Sequence, residues 1–176
     1  MSGIEAIKSS TPKVCRDGIK KSLELIMGST EEKMQEYIQE FKSEFKKLDF
    51  EQISSPSGVT KISDYIDRNK SPIKGTPWHV KGSILYNNLI DRFKLSEFYE
   101  TIGNGDKIKH CVLKVPNPYG FEVISCPGPL PKEFKLDPYI DYDAQFEKAF
   151  IKPLSIILKS IGWNIEKTST LEDFFG

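Results

Sequence analysis

The sequence predicts an α+β fold, and three observations carry that prediction. Apolar residues recur at helical spacing early, centrally and late in the chain. Between the central and late helices lies a stretch that alternates as β-strands do. Segments rich in glycine, proline and serine separate these blocks. A chain of 176 residues with 38% hydrophobic content is long enough to bury one sizeable core. Formal net charge is zero, so no global field draws it to nucleic acid or membrane, and local patches matter more.

The first helix follows Thr11 and Pro12, read as a cap and a proline suited to a first turn. It places Cys15, Ile19, Leu23 and Ile26 on one face and Lys13, Arg16 and Lys20 on another. Gly28 stands where a left-handed C-cap is expected. Ser29 to Glu32 reads as a capping box. The second helix it opens carries a core stripe of Met34, Tyr37, Ile38, Phe41, Phe45 and Leu48. Together the two helices predict an antiparallel hairpin. Residues 53–59 then read as a loop. Its serines and Gly58 can approach a phosphate closely, with Lys61 just beyond, although such segments also serve as plain turns.

The stretch from Lys74 to Asn87 organises the rest. Thr76 and Pro77 read as N-cap and first helical residue, and Trp78, Leu85, Leu89 and Phe93 recur as a core face. Lys74 precedes the helix start and Lys81 lies one turn in, so the dipole and two ammonium groups favour an anion there. A solvated helix start with ordinary surface lysines has the same pattern. Beyond Phe93, residues 97–102 read as a strand, Gly103 to Asp106 as a turn, Lys107 to Val115 as the hairpin's second strand and Phe121 to Ser125 as a third. Asp137 and Pro138 read as the cap of a long final helix burying Tyr142, Phe146, Phe150, Leu154, Ile157 and Leu158. Pro153 is expected to kink it. Lys148, Lys152, Ser155 and Lys159 form a separate polar stripe, suited either to a phosphate backbone or to solvent.

Other chemistry finds little support. Three cysteines (Cys15, Cys111, Cys126) show no metal or redox spacing and suit a reducing compartment. Two histidines, His79 and His110, are too few and too scattered for a metal cluster. Asp141 and Asp143 around Tyr142 suggest a two-metal site, but they open an amphipathic helix, where acids complement the dipole. No signal peptide or membrane-length apolar run appears, so the reading is of a soluble, cytoplasmic protein. At the C-terminus Leu171, Phe174 and Phe175 are spaced to share one side of a helical turn. Two adjacent phenylalanines on a tail point to a receiving pocket, or to a tail folded on its own core.

The run from Gly3 to Pro12, the Lys74–Asn87 stretch, Asn117-Pro118-Tyr119-Gly120, residues 146–153 and the Leu171–Gly176 ending occur in one order. In that order they resemble the thumb and C-terminus of family B DNA polymerases of T-even-like bacteriophages. The resemblance implies a thumb domain over residues 1–163, with 1–11 as its junction to the palm, and a sliding-clamp-binding tail over 164–176. It implies phosphate contacts with a primer–template DNA duplex at Lys8, Ser57, Lys81, Lys148 and Lys152, supported by Lys74, Gly58 and Tyr65. Leu171, Phe174 and Phe175 become the clamp plug. Gly75, Asp64 and Glu122 stand where relatives carry a basic residue, and Thr168 stands where clamp partners often carry glutamine.

By the same resemblance the palm, fingers and exonuclease are further partners and no membrane is involved. The resemblance puts the catalytic carboxylates and their Mg2+ ions in the palm, so this chain is expected to lack both catalytic residues and cofactors. It then acts inside the phage-infected bacterial host, as an excised domain or as one piece of a split polymerase. The alternative is a non-polymerase, clamp-associated replication accessory module. A hydrolase using His79 or Cys111 lacks a nucleophile–base–acid set.

Overall fold

A computed structural model describes residues 8–166. They fall into two compact units, one of residues up to Leu48 together with those from Phe146 onward, the other Asp49–Gln145. Helices and a small antiparallel sheet make this an α+β protein. No described helix is long and apolar enough to cross a membrane.

In the first unit, α1 (Lys13–Gly28) and α2 (Glu31–Phe45) form the expected helical pair. The stripe of α2 is core: Met34, Ile38, Phe41 and Phe45 are buried. Aromatic rings fill the space between elements, with Phe41 and Phe150 centroids 4.7 Å apart and Phe45 and Phe146 5.2 Å apart. Gly18 makes room for them, since a Cβ there would stand 3.0 Å from Phe41 and 3.1 Å from Phe150. The caps differ from expectation. Pro12, not Thr11, is the N-cap of α1 and no side chain caps it. Thr30, not Ser29, caps α2 by accepting from the Lys33 amide, so no capping box forms there. Gly28 is the last helical residue and is not left-handed; Ser29 follows in extended conformation.

The polypeptide reaches the late helix through α5 (Tyr142–Phe146) and a π-turn, Glu147–Ile151, before α6 (Lys152–Ser160). Pro153 was expected to kink this helix. The widened turn is the structural response, with the Lys152 amide donating to Glu147. A proline lacks an N–H and crowds the carbonyl four residues back, and the extra residue of a π-turn accommodates both. Asp137 and Pro138 belong to a separate 3-10 turn, and Asp141 caps α5 instead by accepting from the Ala144 amide at 3.0 Å.

The second unit contains α3 (Phe50–Ile53), β1 (Ser55–Gly58), α4 (Trp78–Arg92), β2 (Lys107–Val112) and β3 (Val123–Cys126). Sheet order is β1-β2-β3, both pairs antiparallel. Two expectations about strands fail in this unit. The segment read as a loop is an edge strand, and the segment read as a strand, 97–102, is irregular. Side chains of α4 take the place of a strand neighbour for it. Asn87 accepts from the Ile102 amide at 2.7 Å and donates to its carbonyl at 2.8 Å, and Tyr86 donates to Glu100 at 2.9 Å.

Helix α4 packs on β3, and the contact is unusually close at Gly82. A Cβ at Gly82 would meet Ser125 Oγ and come within 2.7 Å of the Ser125 nitrogen. Ser125 is buried and donates to the His79 carbonyl at 2.7 Å, a hydrogen bond from strand to helix backbone. In the same unit, buried Gln145 donates to Ile53 at 2.8 Å and to Ser55 at 3.2 Å, and accepts from the Val112 amide at 3.3 Å. One amide thus joins α5, β1 and β2.

Two stability outcomes follow from these contacts. Gly82→Ala must push α4 off β3 and should cost about 3 kcal/mol in chemical denaturation. Gln145→Ala leaves buried backbone groups unpaired and should cost about 2 kcal/mol in the same measurement.

Candidate functional site

The amino end of α4 is built as expected, one residue late. Pro77 is the N-cap, Trp78 opens the helix and no side chain caps it. Thr76 is buried and donates to Ile73 at 2.6 Å, which closes the preceding turn instead of capping the helix. Gly75 sits at φ 85, a conformation that most side chains resist, so a basic residue would be strained at this position. Lys74 and Lys81 line one cleft of about 400 Å³ with Ile73, Trp78, Phe121 and Glu122. Lys74 is exposed and Lys81 half-buried. Among the described residues neither enters an ion pair, whereas Lys70 does, 3.3 Å from Asp91. Glu122 places one acid in the same cleft.

Tyr65 ends a 3-10 turn, Ile62–Tyr65, and its carbonyl accepts from the Ile73 amide at 2.9 Å. That bond ties Tyr65 to the turn carrying Lys74. Ser57 and Gly58 are consecutive on β1, Ser57 half-buried and Gly58 exposed. The remaining expected contacts lie in the other unit. Lys8 is exposed and its carbonyl receives the Thr11 amide at 3.0 Å. Lys148 and Lys152 are exposed on the π-turn and at the start of α6. Leu171, Phe174, Phe175 and Thr168 lie outside the described residues.

Sequence reasoning missed the parts that hold these groups. Asn117 accepts from the amides of Tyr119 and Gly120 and donates to Phe121 at 2.6 Å, shaping the loop beside Phe121 and Glu122. Asn-Pro is a turn signal, but its target cannot be read from spacing. Gln145 gave no signal at all, since a glutamine on an amphipathic helix reads as solvated. The two histidines are not scattered: the His79 and His110 rings lie 6.1 Å apart. Among the described residues, however, no three His, Cys, Asp or Glu gather as a metal site. Burial pushes the Cys111 thiol up to about 12, so at neutral pH it is not a thiolate nucleophile.

Two known proteins match this chain along nearly its whole length. No family model matches it. It is 30% identical over 178 aligned residues to the DNA-directed DNA polymerase of Enterobacteria phage T4, covering 99% of this chain. It is 33% identical over 178 residues to the DNA-directed DNA polymerase of Escherichia phage RB69, covering 98% of this chain. In each case the chain spans about 19% of the relative's length. Throughout its length, therefore, this protein is similar to one segment of the phage DNA-directed DNA polymerases.

Proposed function

We propose that this chain is the thumb portion of a DNA-directed DNA polymerase, that it grips the primer–template duplex through phosphates, and that its tail docks on a sliding clamp. The observation that carries the reading is the amino end of α4. Two lysines, Lys74 and Lys81, share a cleft beside an uncapped helix start and have no ion-pair partners among the described residues. Unpaired ammonium groups next to a positive dipole end are suited to phosphate oxygens.

In this reading the second unit supplies Lys74, Lys81, Ser57, Gly58 and Tyr65, and the first unit supplies Lys8, Lys148 and Lys152. All are contacts of charge, hydroxyl or backbone with a phosphate, so they hold any sequence equally, as replication requires. Glu122 limits how many phosphates the cleft neutralises. Catalytic carboxylates and their Mg2+ ions would come from the palm, and the fingers and exonuclease would be further partners. Leu171, Phe174 and Phe175 would enter an apolar clamp pocket as one helical turn.

Fluorescence anisotropy of a labelled duplex across a salt series tests the grip. Binding should weaken log-linearly with salt, and Lys81→Ala should reduce the slope by about 1 for every duplex sequence tried. Loss of binding to one sequence alone, or salt-independent binding, would count against a phosphate grip. For the tail, Phe174→Ala with Phe175→Ala should abolish clamp capture while duplex binding stays unchanged. If duplex binding falls too, those residues belong to the fold.

A further inference from the structure

We infer that Lys61 and Lys107 form, with the Gly58 amide, a further phosphate-binding subsite on the free edge of the sheet; this rests on the reading of the chain as a duplex-binding domain. The ladder itself gives the direction of the edge groups. The Val59 amide donates to Asp106 at 2.9 Å and its carbonyl receives Gly105 at 2.7 Å, so Val59 faces the partner strand. In an antiparallel ladder alternate residues face the partner, and Pro56 and Gly58 therefore face outward. Pro56 agrees, since an outward position on an edge strand wastes no N–H. The Gly58 N–H is left pointing off the sheet, and nothing lies within 4 Å of where a Cβ would stand.

Lys107 is the cross-strand partner of Gly58 and is exposed. The pair occupies a narrow, non-hydrogen-bonded position, so the Lys107 side chain leaves the sheet about 4.5 Å from Gly58, on the same face. Its neighbour on that face, Lys109, donates to the Glu51 carbonyl at 3.0 Å and has a structural task. Lys107 has none among the described residues. The acid beside it, Asp106, already accepts from the Gly103 amide at 2.7 Å.

Lys61 adds a second cation from a costly backbone. It sits at φ 53, ψ 43, held there by its own amide donating to Asn104 at 2.7 Å. Glycine or asparagine is the cheaper residue in this conformation. Lys61 also opens the 3-10 turn Ile62–Tyr65, its carbonyl accepting from the Asp64 amide at 3.0 Å, and the other left-handed lysines have settings of their own. Lys70 pairs with Asp91, Lys94 follows α4, and Lys135 ends a 3-10 turn. For Lys61, exposed and three residues beyond the outward Gly58 amide, the charge is the compensating property. Two exposed lysines, one three residues along the chain from Gly58 and one directly across the ladder from it, together with the outward Gly58 amide supply the donors a phosphodiester needs.

The test compares the full chain with Lys61→Gly, Lys107→Ala and Lys135→Gly, by duplex anisotropy over a salt series and by thermal melting. Lys61→Gly should raise Tm by about 2 °C while weakening duplex binding about threefold to tenfold and reducing the salt slope by about 1. Lys107→Ala should weaken binding similarly at unchanged Tm. Lys135→Gly should raise Tm and leave binding as it was. Wild-type binding at every salt by both Lys61→Gly and Lys107→Ala would overturn the subsite and leave the thumb reading standing. A wild-type chain that binds no duplex at low salt would overturn the phosphate grip of this chain and the subsite with it.

Discussion

The close approach of α4 to β3 is the constraint on which the second unit depends. Gly82 carries no side chain because the Ser125 backbone occupies that space, and Ser125 returns a hydrogen bond to the His79 carbonyl. A missing Cβ and one buried hydroxyl together fix the depth of the helix on the sheet. Lys81 is the residue before Gly82, so its backbone position is set by the same contact. The neighbouring residues Ile84, Leu85 and Leu89 are buried, which fixes the rotation of the helix as well as its depth. The backbone that presents this cation needs no further ordering when the ammonium group meets a phosphate, so only the side chain's own freedom is lost.

The distribution of lysines shows which charges maintain the fold and which are available to a ligand. Lys70 pairs with Asp91, and Lys109 caps the Glu51 carbonyl. Lys74, Lys81 and Lys107 have no such partners among the described residues. Exposed ion pairs contribute little stability. Leaving these lysines without carboxylate partners therefore costs the fold little and keeps them available to a polyanion. Zero net charge is compatible with this arrangement, because screening confines each interaction to roughly a Debye length of about 8 Å at physiological salt.

Helical periodicity conveyed the helices and their cores well, because a buried stripe repeats along one segment. Met34, Ile38, Phe41 and Phe45 needed no knowledge of their partners to be recognised as core. The sheet was less accessible. Strand β1 is Ser-Pro-Ser-Gly, with no β-branched or aromatic residue, and it is a strand only because β2 lies beside it. Residues 97–102 had the composition of a strand but found Asn87 and Tyr86 as hydrogen-bond partners. The lysines of the candidate site were visible as residues. So was the grouping of Lys74 with Lys81 at one helix start, but not the far wall of their cleft, which Phe121 and Glu122 supply from a distant loop. Lys107 escaped notice because its importance lies in the register opposite Gly58, which spacing along the chain does not encode.

Hydrogen exchange of the chain with and without a primer–template duplex tests the central claim most directly, because it reads backbone groups where phosphates would sit. The account predicts added protection at 57–61 and at 74–81 on adding duplex, reversed by salt, with exchange around Gly28 to Thr30 unchanged. Protection confined to other segments, or none at a duplex concentration that saturates anisotropy, would contradict it.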